Sequence, residues 1–454
     1  MSIIEAKMTD EQIRQFRQSV LDTYTINPGL FSKYDIKKGL RNADGTGVMA
    51  GLTRVCSVEG YVIYDGEKTP QEGKLYYRGV DVNDIVDACL AENRFGFEEV
   101  AYLLLFGTLP GKAQLEGFSR ILSESRDLPD DFTEDMIMKA PSANVMNKMA
   151  RSVLAMYSFD NDPDNLDISN VIRQCVQLVA QLPVVMAYAY QVKRRVYYHK
   201  SMYLHPLKPG LSTAETILRS IRSDKKFTDD EAKLLDLCLM LHADHGGGNN
   251  STFSTRVLTS SGTDTYAAIS AGIGALKGPR HGGANIKVSE MAGMMLEDGV
   301  DPDSDASVRD ELAKIIRKEA GDGSGLIYGM GHAVYTKSDP RAVILGKQAE
   351  KFAKGTDFEK EYRLLTAIER LTPDVFAEVK GADKAMCANV DLYSGLIYKI
   401  LRIPEDLYTP IFTTARIAGW SAHRIEEILT GGRIIRPAYK NVGEGKTYVP
   451  LSDR

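Results

Sequence analysis

The chain has 454 residues, of which 43% are hydrophobic and 26% charged, so it can build a large core in roughly two or three domains. A net charge of −5 and a pI near 5.9 give no footing for nucleic acid as a partner. Five widely spaced cysteines, odd in number and with no CxxC pair, predict reduced thiols in a soluble, cytoplasmic protein rather than a disulfide framework.

Taken in chain order, residues 1–50 read as an N-terminal arm. The first residues alternate charged and apolar types and show no apolar signal-peptide core. Ile13, Phe16, Val20 and Leu21 recur at helical spacing until Asn27-Pro28-Gly29 breaks the pattern. Between Gly60 and Gly79 the period becomes that of strands, and Tyr61–Tyr64 and Lys74–Tyr77 predict one short β-hairpin. Everything beyond reads as helix. Phe97–Phe106 stops at Gly107, and residues 170–190 form an apolar helix that Pro183 is expected to kink or break. The apolar run Leu178–Tyr190 is shorter than the roughly 20 residues of a membrane span, so no membrane partner is expected. Ser212-x-x-Glu215 and Thr228-x-x-Glu231 are capping boxes, and the second opens a helix delivering His242 and His245. The small-residue run Tyr266–Ala275 predicts a close helix contact, either internal or between subunits.

The chemistry is expected in Leu241–Asn285, where three of the seven histidines (His242, His245, His281) lie in or beside glycine turns. Glycine there lets backbone amides and imidazoles approach a ligand closely. Further along, Gly329-Met-Gly331-His332 repeats the theme, Asp391 opens an apolar helix, and Arg341, Arg416 and Arg436 lie in mostly apolar surroundings. Singly, each has a plain structural reading: a histidine bonded to a carbonyl, an N-cap carboxylate, a buried ion pair. Together, three arginines suit a small polycarboxylate, and imidazoles with one carboxylate suit proton removal beside a carbonyl. His242-x-Asp244-His245 also has the spacing of some metal ligands, but no second cluster or HxxEH-type motif supports a metallohydrolase. No G-x-S-x-G elbow supports a serine hydrolase.

These motifs resemble citrate synthase. They are His242-Ala-Asp-His245, Gly278-Pro-x-His281-Gly-Gly-Ala-Asn285, Gly329-x-Gly-His332-x-Val-Tyr335, Asp339-Pro-Arg341, Asn389-Val-Asp391-x-Tyr-Ser-Gly395, Gly419-Trp-x-Ala-His423 and Arg436-Pro437. They stand in the family's order, and the resemblance covers nearly all the chain beyond about residue 45. It implies a mainly α, multi-helical two-domain fold with a small N-terminal β-hairpin. The large domain would comprise 51–281 plus 392–454 and the small one 282–391.

It further implies an acyltransferase of the citrate (Si)-synthase type, serving the tricarboxylic acid cycle. Such an enzyme condenses acetyl-CoA with oxaloacetate and hydrolyses citryl-CoA, with no cofactor and no metal. His281, His332 and Asp391 would be catalytic, and His245, Arg341, Arg416 and Arg436 would bind substrate. Arg436 would come from the partner in a homodimer, and Lys337 and Lys384 would meet CoA phosphates more weakly. The alternatives are 2-methylcitrate synthase, using propionyl-CoA, and an inactive CoA-binding homologue. Arg280, Ala333, Thr336 and Ala388 depart from the commoner bacterial pattern beside the proposed CoA and catalytic loops.

Overall fold

The computed structural model describes residues 8–454, apart from Gly66, residues 382–384 and Gly431. The chain divides into two compact units, Met1–Gly51 and Leu52–Arg454. In the first, α1 (Asp10–Tyr24) opens with a reciprocal Thr9–Gln12 capping box and buries none of its residues, and the short α2 (Gly29–Lys33) follows.

The second unit begins with a three-stranded antiparallel sheet, β1 (Cys56–Tyr64), β2 (Glu67–Tyr77) and the short β3 (Val80–Asp81), in that order. Each of the two predicted strands starts earlier than the sequence suggests and ends where it predicts, and Gly60 sits at a register shift between Glu59 and Tyr61. Helices α3 (Val82–Ala91), α4 (Phe97–Phe106), α5 (Lys112–Glu124), α6 (Val145–Met156) and α7 (Ile168–Tyr197) come next. They are followed by α8 (Thr213–Ile221), α9 (Asp229–His242), α10 (Asn250–Ser260) and α11 (Thr265–Leu276). The remainder is α12 (Ala284–Glu297), α13 (Asp305–Arg317), α14 (Pro340–Ala353), α15 (Glu359–Lys380), α16 (Asp391–Ile400) and α17 (Tyr408–Leu429). The fold is mainly α with a small N-terminal sheet, as the sequence predicts.

Local chemistry sets many of these boundaries. Both predicted capping boxes form, with Ser212 and Glu215 starting α8 and Thr228 and Glu231 starting α9. Gly107, at φ 86°, ends α4 in the left-handed conformation. Of the kink or break expected at Pro183, the break does not occur: α7 runs through it without ending. Its flanks from Leu178 to Ala187 are all buried, so packing holds the helix where one backbone hydrogen bond is lost. By length and composition α7 could cross a bilayer, but 83% of its most apolar window is buried inside the protein.

The core centres on α17, buried from Tyr408 to Ile425 save for Phe412 and packed against α4, α7, α9, α10 and α11. Trp420, fully buried, makes it a keystone, since truncation of such a side chain costs about 3–5 kcal/mol. The small-residue helix α11 turns Gly272 onto Thr255 of α10 and onto the Trp420 ring, so it makes a close internal helix contact. All five cysteines are buried and unpaired.

Candidate active site

Three segments converge around the C-terminal end of α9. The first is the turn after α9. His242, the last residue of α9, is 1% exposed, and neither ring nitrogen has a partner among the described residues; its ring meets Phe412 edge-on at 4.4 Å. Two residues on, the Asp244 carboxylate accepts from the Gly246 amide (3.1 Å) and bends the chain so that His245 faces inward. His245 Nε2 is buried with no hydrogen-bond partner among the described residues. Burial and the nearby charges of Arg341 and Arg416 hold both histidines well below the usual imidazole pKa, so both are neutral.

The second segment carries His332. Gly329 and Gly331 both adopt positive φ (83° and 89°), and a Cβ on Gly329 would also lie 3.0 Å from the Leu392 backbone, so only glycine fits. His332 Nδ1 accepts from the amides of Val334 (3.0 Å) and Tyr335 (2.9 Å). Two amide donors on Nδ1 leave the imidazole proton on Nε2, which makes His332 a neutral donor. Its ring stacks on Tyr335 at 4.5 Å and meets His245 edge-on at 5.1 Å.

The third segment carries Asp391, the first residue of α16. Asn389 Oδ1 accepts the Asp391 amide (3.0 Å), and Asn389 Nδ2 donates to the Gly331 carbonyl (2.9 Å). With Gly331 N to Cys387 O (2.7 Å) and Asn389 N to Gly329 O (2.9 Å), a short antiparallel bridge fixes Asp391 relative to His332. Burial pushes the Asp391 carboxyl up to about 6, against the opposing pull of Arg341.

Two arginines close the group. Arg416, fully buried on α17, donates Nε to the His242 carbonyl (2.7 Å), while Nη1 and Nη2 have no partner among the described residues. Arg341 is 3% exposed and gives Nε (3.0 Å) and Nη2 (2.7 Å) to Asp339, the N-cap of α14. Only its Nη1 is not engaged by the described residues. His281 lies on the wall of an open cavity of about 510 Å³, with Asn250, Pro279 and Arg280. Its Nε2 is 3.1 Å from Ser251 Oγ, which also receives the Trp420 indole N–H at 3.2 Å, and burial pushes its pKa down to about 4.

The sequence candidates thus divide. His245, His281, His332, Arg341, Arg416 and Asp391 form one electrostatically coupled cluster: His245 feels His281, His332 and both arginines, and Asp391 feels the same two arginines. Arg436 is exposed on the C-terminal segment beyond α17. The neighbouring Ile435 amide bonds Ser260 at the far end of α10, nine residues beyond Ser251 and so about 13–14 Å from it along the helix. Arg436 therefore lies away from its own chain's cluster. Lys337 is exposed on the loop after His332, and Lys384 lies outside the described residues.

Sequence reasoning missed Ser251 and Arg256, and quoted Asp339, Asn389, Asp244 and His423 within motifs without giving them the positioning contacts seen here. Asn389 and Asp339 carried a signal, each standing two residues before a candidate whose amide it accepts. Among the described residues no group of three or more His, Cys, Asp and Glu side chains could hold a metal ion.

Neutral imidazoles, one carboxylate poised near neutrality and a buried guanidinium fork make this an acid–base enzyme for a carboxylate-bearing substrate. Residues 42–438 match the family model described as citrate synthase, C-terminal domain. Among curated relatives, the citrate synthase of Synechocystis sp. is 32% identical over 90% of this chain and 92% of its own. The 2-methylcitrate synthase of Shewanella oneidensis is 32% identical over 84% and 92%. Among solved structures, Thermoplasma acidophilum citrate synthase in ternary complex with carboxymethyl coenzyme A and oxaloacetate superposes with a TM-score of 0.74. It is 26% identical and covers 92% of this chain and 99% of its own. The chain belongs to the citrate synthase family.

Proposed function

We propose that the chain condenses acetyl-CoA with oxaloacetate and hydrolyses the resulting citryl-CoA to citrate and CoA. The observation that carries this reading is the Arg416 fork. Two guanidinium nitrogens, buried over the Phe412 ring and without a hydrogen-bond partner among the described residues, together with the unbonded nitrogens of His242 and His245, demand an anionic, acceptor-rich ligand, since unmatched buried donors are costly. A dicarboxylic keto acid meets that demand.

In this reading Asp391 takes a proton from the acetyl methyl group, and His281 holds the thioester oxygen of the enol. For His281 to donate from Nδ1, Ser251 has to turn its one hydroxyl proton from Asn249 Oδ1, which accepts it at 2.9 Å, toward His281 Nε2 at 3.1 Å. The enol carbon attacks the oxaloacetate ketone, a carbon–carbon bond forms, and the ketone oxygen receives the Nε2 proton of His332. Water then displaces CoA from the citryl thioester. His245, Arg341 and Arg416 hold the carboxylates, and Arg436 joins them from the partner subunit of a homodimer. A carboxyl raised to about 6 is a stronger base than an exposed aspartate and is still ionised at neutral pH, as enolisation of a weakly acidic carbon needs. No metal or cofactor is required by these steps.

The reading also assigns 282–391 to a small domain closing over 51–281 and 392–454, with Lys337 and Lys384 meeting CoA phosphates. The five unpaired cysteines favour the cytoplasm. Propionyl-CoA is the second acyl donor to consider, because 2-methylcitrate synthases stand at the same identity as citrate synthases, and one methylene changes discrimination by only about 1–3 kcal/mol.

The test is thiol release from acetyl-CoA and from propionyl-CoA, with and without oxaloacetate. Oxaloacetate-dependent release favouring acetyl-CoA is expected. Preference for propionyl-CoA would move the activity to 2-methylcitrate synthesis, and no release from either would sink the proposal.

A further inference from the structure

One face of α17 carries more than Arg416. Gly419, His423, Glu426 and Glu427 follow it at three, seven, ten and eleven residues, and helical spacing stacks all of them along the same side. Glu426 and Glu427 each receive one terminal nitrogen of Arg256 from α10, both at 2.9 Å. Arg256 Nη1 also lies 3.0 Å from His423 Nδ1. A guanidinium can only donate, so Nδ1 accepts and the His423 proton sits on Nε2. That Nε2 donates to Asp244 Oδ2 at 3.1 Å, and the same oxygen receives the Gly246 amide.

Asp244 is fully buried, and its other oxygen has no hydrogen-bond partner among the described residues. Gly419 packs directly on it, and a Cβ there would strike both that oxygen and, at 2.5 Å, the Ala243 carbonyl. The groups facing Asp244 are Arg416 and His423 from α17, Cys56 from β1, Tyr77 from β2 and, further off, Arg78. Of these, Arg416 and Arg78 are cations, and Arg416 is the one with an open fork toward the substrate side.

We propose that His423 and Arg256 are positioning residues of the oxaloacetate pocket: through Asp244 they fix the turn that presents His245 and maintain the counter-charge against which Arg416 is held. The inference rests on the oxaloacetate reading above and extends it to residues that touch no substrate. Without the His423 donor, a carboxylate buried beside Cys56 and Tyr77 loses a partner that favours its ionised form, and protonation becomes easier. A protonated Asp244 releases the Gly246 amide, and the 244–247 turn loosens. In the intact chain burial raises the Asp244 carboxyl, but the hydrogen bond from His423, the charge of Arg416 and the Gly246 amide outweigh it and hold the group below its usual value, so it stays ionised across the working range.

The experiment compares wild type with His423→Phe, His423→Gln and Arg256→Met. It measures steady-state kinetics in both substrates, and oxaloacetate binding by calorimetry from about pH 8 to about pH 5.5. His423→Phe and Arg256→Met should raise KM and Kd for oxaloacetate about tenfold or more, the usual scale for removing a hydrogen-bond partner behind a ligating group. KM for acetyl-CoA should stay within about twofold. The ratio of variant to wild-type Kd should grow as pH falls. His423→Gln, whose amide can still donate to Asp244, should recover most of the loss.

A network that merely staples α10 to α17 predicts lower thermal stability with both KM values unchanged, and that result would overturn the proposal. So would a glutamine variant as impaired as phenylalanine, or a Kd ratio independent of pH. If His423→Phe does not fold, Arg256→Met and His423→Gln carry the same comparison. Failure of the functional reading is separate: wild-type protein would then neither bind oxaloacetate nor release thiol with it.

Discussion

Asp391 concentrates the tension between function and stability at a single residue. Its folded pKa of about 6 lies above the value near 4 of an unfolded aspartate. The folded chain therefore binds this proton more tightly than the unfolded chain. Stability is lost as pH rises from about 4 to about 6, and the loss is complete above that. Asp391→Asn should accordingly raise stability at pH 7.5 by about 2–3 kcal/mol, measured by denaturant unfolding, while kcat falls about 10²–10⁴-fold. A variant that loses activity without gaining stability would show that the carboxylate is not held at a cost. The acid limb of activity follows from the same group. With His281 pushed down to about 4, kcat/KM for acetyl-CoA should climb through an apparent pKa near 6 and owe nothing to His281 above pH 5. A pH-rate profile checks this. Candidates of this kind were legible in the sequence because each sat beside glycine or at a helix start. Their protonation states were not, since the amides of Val334 and Tyr335 that set the His332 tautomer are backbone groups without a residue signature.

The hairpin shows how an element remote in sequence positions the chemistry. Its strands were visible from their β-rich runs, but nothing in them announced a partner some 270 residues away. The β1–β2 ribbon lies on the loop that carries His332. Thr336 Oγ1 donates to the Gly60 carbonyl and lies 3.2 Å from the Gln71 carbonyl, and the Gly73 amide donates to Ser338 Oγ at 3.1 Å. Thr336, a departure from the commoner bacterial pattern, thus has a structural task here. A Cβ on Gly60 would come within 2.5 Å of the Tyr335 Cα, backbone against backbone, with no flexible side chain to yield. Gly60→Val should push the loop outward, cost about 1–3 kcal/mol and lower kcat/KM at least about tenfold through misplacement of His332. Thermal unfolding and steady-state kinetics read the two effects separately. Unchanged kinetics in a destabilised variant would mean that the hairpin braces the fold without placing the histidine.

At the scale of the whole molecule, the position of Arg436 bears on assembly. The capping boxes, the helix breaks at Gly107 and the start of α16 follow from local chemistry, whereas a residue that acts across a subunit boundary leaves no local trace. In its own chain Arg436 is exposed, anchored through Ile435 to the far end of α10 from Ser251. A guanidinium meant for a substrate carboxylate has no reason to sit in solvent at the opposite end of α10, about 13–14 Å away, unless a second copy brings the site to it. The homodimer reading makes a sharp prediction from symmetry. Arg436→Leu and Asp391→Asn should each be nearly inactive alone. Co-expressed in equal amounts, they should form mixed dimers as about half of the population. In each mixed dimer one site pairs an intact Asp391 with the partner's intact Arg436, and the other has lost both. Activity should therefore return to about a quarter of wild type, half the dimers with one working site of two. If Arg436 served its own chain, every site in the mixture would lack one group and no activity would return. Activity per protomer in the co-purified mixture, with the two chains carrying different tags, distinguishes the outcomes.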